Sequence, residues 1–110
     1  MEELELIEYL ARKAGYQLDS LWKGMIWVAP LTEEKIGSLE LIFDPAKPSG
    51  GTCSTEISNC MYYDKDGITV ATYLLVDEEN KLCELDMWKV DYSPISGIPP
   101  VSAMKDIPRY

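Results

Sequence analysis

Three strand-like runs, residues 52–63, 68–76 and 82–92, are joined by connections of only four and five residues, and that spacing leaves the chain few ways to fold. Neighbours so close in sequence pair antiparallel, because a parallel crossover needs a dozen residues or more. The first connection, Asp64-Lys65-Asp66-Gly67, ends on a glycine free to take a positive φ. The second, Asp77-Glu78-Glu79-Asn80-Lys81, is polar throughout. In the middle run Val70, Thr72, Leu74 and Val76 line one face and Thr69, Ala71, Tyr73 and Leu75 the other. Both faces are fairly apolar, so this strand reads as central, with a helix on one side and the C-terminal segment on the other.

Residues 2–14 supply that helix. Leu6, Ile7, Leu10 and Ala14 form a stripe, glutamates occupy the first turns, Arg12 and Lys13 the last, and Gly15 stands ready to end it. Two further strands are expected at residues 25–29, limited by Pro30, and 38–43, separated by a polar Thr32-Glu33-Glu34-Lys35 connection that can hold a helical turn. Residues 44–51 read as a loop. Residues 93–110 carry four prolines and are expected to run extended over the surface. The reading is a single α+β domain over residues 1–110: a helix to residue 15, an antiparallel sheet of four or five strands across 24–92, and the extended tail.

Ten Lys and Arg against 19 Asp and Glu give a net charge of −9. Such a surface repels phosphate backbones and anionic lipid and attracts basic proteins, so neither nucleic acid nor membrane is an expected partner. The longest apolar run, residues 25–31, is far short of the ~20 residues a membrane helix needs. Three cysteines, Cys53, Cys60 and Cys83, leave at least one unpaired, and the chain starts without a basic then apolar leader. Both features point to the reducing cytoplasm. Each cysteine reads as a buried structural thiol.

The chain has no histidine, which removes the commonest general base, the usual triads and most zinc sites. Asp64-x-Asp66-Gly67 lacks the third oxygen ligand of a calcium loop and reads as a hairpin turn. Ser49-Gly50-Gly51-Thr52 has neither the lysine nor the following helix of a phosphate loop. No metal, cofactor or catalytic residue is expected. Glu84 and Asp86 would stand about 7 Å apart along a strand, within range of glycoside chemistry, but a chain of this size offers little cleft for a sugar. The protein therefore reads as non-enzymatic.

One row remains to be explained. Period-2 alternation puts Glu84, Asp86 and Trp88 on the same side of the last strand, two carboxylates and an indole where packed apolar residues are the norm. With Asp91 and Tyr92 just beyond, they form the expected partner-binding set, Trp88 or Tyr92 acting as an aromatic anchor. Trp27 reads as core, and Lys89 as a candidate for pairing with a neighbouring strand.

The segments Ile36-Gly37-Ser38-Leu39, Asp64-Lys65-Asp66-Gly67, Val76-Asp77-Glu78 and residues 84–94, with their Glu-Leu-Asp-x-Trp-Lys-x-Asp-Tyr-Ser-Pro motif, resemble a family of small bacterial proteins of uncharacterised function. In size and charge the chain also resembles immunity proteins of bacterial toxin systems, including contact-dependent inhibition. That likeness implies an acidic face docking on a basic toxin domain, a nuclease, and blocking its active-site cleft without chemistry. The competing expectation is an adaptor or structural module of a phage or mobile element that uses the same sheet for another partner.

Overall fold

The computed structural model describes residues 2–18, 22–30, 39–42, 53, 55–91, 93 and 95–107, with the side chains of residues 2, 3, 23, 25, 27–30 and 42 left out of the description. It is an α+β fold: one N-terminal helix packed on an antiparallel sheet. Helix α1 spans Glu2–Lys13 and a short α2 spans Trp22–Met25. Strands β1 (Trp27–Pro30), β2 (Leu39–Ile42), β3 (Thr55–Tyr63), β4 (Thr69–Val76) and β5 (Leu82–Lys89) lie in the order β1-β2-β5-β4-β3. Among the described residues no helix is long and apolar enough to cross a membrane.

Helix α1 buries Leu6, Ile7, Leu10 and Ala11 completely. The stripe therefore closes on Ala11, and the expected Ala14 is exposed, because the helix has ended by then. Gly15 takes φ 72°, and the Tyr16 and Gly15 N–H groups donate back to the Ala11 and Arg12 carbonyls at 2.8 and 3.0 Å. This paired closure satisfies carbonyls that a helix end otherwise leaves open, and only glycine adopts the required φ without strain.

The meander forms as its spacing predicts. Gly67, at φ 82°, closes the β3–β4 turn with its N–H on the Asp64 carbonyl at 2.8 Å. In the β4–β5 turn Asn80 takes φ 63°, and Asp77 Oδ1 accepts from the Glu79 and Lys81 N–H groups at 2.8 and 3.0 Å. Val70, Thr72, Leu74 and Val76 are all buried on the helix side, joined there by Leu41 of β2, Cys60 and Tyr62 of β3, and Leu85 and Met87 of β5.

Three expectations are corrected. Met25 belongs to α2 rather than to a strand; Trp22, buried in the core, anchors that turn, and the strand begins at Trp27. The last strand stops at Lys89, short of residue 92. The C-terminal segment, expected across the opposite face, packs on the helix side. There Ile95, Ile98 and Met104 join the core, Tyr62 Oη donates to the Gly97 carbonyl at 2.9 Å, and Val101–Ala103 form a 3-10 turn beside α1. It then adds a bridge to the outer edge of β3, where Met61 and Lys105 exchange both backbone hydrogen bonds at 2.8 Å. Among the described residues of this segment regular structure is limited to the 3-10 turn and the Lys105 bridge, but its prolines do not prevent apolar packing, which the isoleucines and methionine supply.

The cysteines divide differently from the expectation. Cys60 is a buried free thiol, whereas Cys53 and Cys83 form a disulfide with their Cα atoms 6.1 Å apart. One odd cysteine does not stop the other two from meeting. The link ties a position two residues ahead of β3 to the start of β5, at an irregularity in the β4–β5 register.

Candidate protein-docking face

The face of the sheet turned away from α1 is set by strand phase. On β5, Leu85, Met87 and Lys89 point to the core, so Glu84, Asp86 and Trp88 point the other way. The antiparallel register brings neighbours beside each of them. Glu40 of β2 lies across from Glu84, Tyr73 of β4 across from Asp86, and Ala71 across from Trp88. One strand further out, Asn59 and Met61 of β3 stand across from Tyr73 and Ala71. The resulting surface runs from three carboxylates, Glu40, Glu84 and Asp86, to an aromatic corner containing Trp88 and Tyr63.

The electrostatics follow from that layout. Partial burial raises the Glu84 carboxyl above its ordinary value, and the charges of Asp86 and Glu40 push it further in the same direction. The Tyr73 phenol is raised by burial, then by Glu56 and Asp86. Like charges directly opposed on adjacent strands destabilise a sheet, so the Glu84 charge, opposite Glu40 and beside Asp86, works against the fold. Trp88 is 36% exposed and Tyr63 53%, unusually open for large apolar groups, and the Lys105 ammonium sits 5.2 Å from the Tyr63 ring centroid. Among the described residues no three His, Cys, Asp or Glu side chains come together as a metal site.

Of the expected partner-binding set, the structure brings Glu84, Asp86 and Trp88 together. Asp91 lies beyond β5 in a turn and is not part of the row. Its Oδ1 accepts from the Ser93 hydroxyl and the Ser93 N–H, which together hold the carboxyl below the usual range, so it shapes the chain's exit from the sheet. Tyr92 lies outside the described residues, as does the side chain of Trp27. Sequence reasoning missed Glu40 and Tyr73, whose membership depends on the β2–β5 and β4–β5 registers.

It also missed the destination of Lys89. On the core side of β5 the Lys89 ammonium is buried and donates to Asp64 Oδ2 at 3.0 Å and Asp66 Oδ2 at 2.6 Å. Both carboxylates belong to the β3–β4 turn, and Asp64 also accepts from the Lys65 and Ser96 N–H groups at 2.8 Å each. Burial works to raise the Asp64 carboxyl, but Ser96, Lys89 and Lys65 override it and bring it down to about 2. The turn that resembles part of a calcium loop thus holds an ammonium, and it ties together a hairpin, β5 and the C-terminal segment. The signal was available in the sequence, since a lysine in phase with Leu85 and Met87 requires a buried anionic partner.

A family model described as a domain of unknown function, DUF6984, matches residues 1–99. The chain belongs to this family. The matched span takes in α1, the whole sheet, the open face and the Lys89 network, and it stops short of the 3-10 turn and the Lys105 bridge. No curated protein and no solved structure matches the chain.

Proposed function

We propose that this protein acts by binding: the sheet face turned away from α1 docks on a basic protein surface, as an immunity protein does when it occludes the active-site cleft of a toxin, here a nuclease. The observation that carries the reading is the joining of Glu40, Glu84 and Asp86 to a partly exposed Trp88 on one regular surface. Carboxylates speed encounter with a cationic partner, and an aromatic group desolvated at the centre of the contact slows release. Nothing in this mode of action requires a catalytic group, and the overall charge of −9 extends the attraction beyond the contact itself.

The reading places the protein in the cytoplasm, where a nuclease would meet its nucleic acid. In that reducing compartment Cys53 and Cys83 would stand as neighbouring thiols, and their link would close only on exposure to oxidant.

The deciding experiment is co-expression with candidate basic nuclease toxin domains, scored by cell survival. Protection by the native chain, lost in a Glu84→Gln, Asp86→Asn, Trp88→Ala variant that still folds, is the expected result. Full protection by that variant, or none by the native chain, overturns the proposal.

A further inference from the structure

At the opposite edge of the sheet, the end of α1, the outer side of β3 and the C-terminal segment enclose a cleft of about 420 Å³ lined by Lys13, Ile57, Ser58, Asn59, Asp106 and Ile107. Its polar groups are arranged around two opposite charges. Lys13 Nζ donates to the Asn59 carbonyl at 2.7 Å and pairs with Asp106 Oδ1 at 2.5 Å, while the Asp106 side chain is 82% exposed. Ser58 is nine-tenths buried, and its hydroxyl has no hydrogen-bond partner among the described residues. Buried polar groups in folded proteins are nearly always satisfied, so a serine hydroxyl left unpaired in the wall of a cleft marks a place where something else supplies the partner.

We infer that this cleft binds a small zwitterion, an α-amino acid with an aliphatic side chain. The ligand carboxylate accepts from Lys13 and, after rotation about χ1, from the Ser58 hydroxyl. The ligand ammonium takes the place of Lys13 against Asp106, and the aliphatic group packs between Ile57 and Ile107. A phosphate fits poorly, because the one lysine is already balanced by an aspartate in a strongly acidic protein. A simple carboxylate would leave Asp106 facing a like charge. The volume lies at the lower end of the range for small-molecule sites, which suits a ligand of this size. The site shares only Asn59 with the sheet face and none of Glu40, Glu84, Asp86 or Trp88, so its test is independent of the docking proposal.

The test is a titration of L-leucine into the ¹⁵N-labelled full chain, followed by amide shifts. Saturable shifts at Lys13, Ile57, Ser58, Asn59 and Asp106 are expected, with a dissociation constant on the order of 1 mM or below. Ser58→Ala removes only an unpartnered hydroxyl, so it should fold normally and bind about tenfold more weakly; Lys13→Met should do the same. 4-Methylpentanoate and isopentylamine, which each lack one pole, should bind about tenfold more weakly than leucine. No saturable shift at about 20 mM leucine, undiminished affinity in Ser58→Ala, or equal binding of either single-pole compound overturns the assignment.

Discussion

The Lys89 ammonium lies 3.0 Å from Asp64 Oδ2, and each side chain is only 2% exposed, so a charge on the last strand is neutralised inside the protein by the turn between the two strands before it. The contact spans 25 residues of sequence. Because Asp64 also accepts from Ser96, one pair fixes three separate parts of the chain.

Replacing Lys89 with Met keeps the volume and leaves Asp64 charged in a dry site with only two N–H donors. Truncating one partner of a buried pair is far more damaging than replacing both. Lys89→Met is expected to lower Tm by on the order of 10 °C, measured by thermal denaturation followed by circular dichroism. The double variant Lys89→Met, Asp64→Asn should recover part of that loss.

Acid stability should report the same network. Asp64 titrates at about 2 in the fold, against ~3.9 in an unfolded chain. Between those values the unfolded state binds more protons, so stability rises with pH. The contribution is complete above pH ~4 and is lost as pH falls through about 2. Urea denaturation across that window should show a slope that is reduced in Asp64→Asn.

On the open face, function and stability should move in opposite directions. Glu84→Gln removes a like charge opposite Glu40 and beside Asp86, and is expected to stabilise the fold by roughly 0.5 kcal/mol. The same change should slow association with a basic partner by about tenfold at low salt and flatten the salt dependence. Because Glu84 is held above its ordinary value, binding should tighten as pH rises through that raised value and the carboxylate ionises. Stopped-flow association rates at two ionic strengths check the charge effect, and a pH series checks the proton linkage.

Trp88→Ala should cost at least about 2 kcal/mol in binding, read as faster dissociation, with little change in Tm because the indole is already partly in water. A Tm loss comparable to that of Lys89→Met would instead assign Trp88 to the fold.

The Cys53–Cys83 link closes a segment of 30 residues. Reduction should lower stability by about 3 kcal/mol, measured by urea denaturation with and without dithiothreitol. Cys60 should resist alkylation in the native state, since it is fully buried and that burial pushes its thiol up, outweighing the Thr72 hydroxyl 2.9 Å from its sulfur, which works to lower it.

Local physics made much of this molecule legible from residues alone. The glutamates and basic residues at the two ends of α1, Gly15, the Gly67 turn and the alternation in β4 each act within a few positions, so the helix and the meander follow from them. The phase of β5 put Glu84, Asp86 and Trp88 on one face by the same logic. What depends on which strands become neighbours could not be read that way. Glu40 reaches Glu84 only because β2 pairs with β5, and Cys53 reaches Cys83 only once β3, β4 and β5 are in register. The burial of Ile95, Ile98 and Met104 was hidden by prolines that signal irregular backbone and say nothing about where apolar side chains settle. Lys89 was legible in phase, though not in partner.

The exchange of hydrogen bonds between Met61 and Lys105 gives the outermost long strand a short rung of the protein's own backbone, and Lys13 occupies the neighbouring carbonyl of Asn59. A strand without such a rung is a template for identical molecules. Clipping the chain after residue 99 would therefore do more than loosen the core: it would bare a stretch of strand edge able to recruit its own kind.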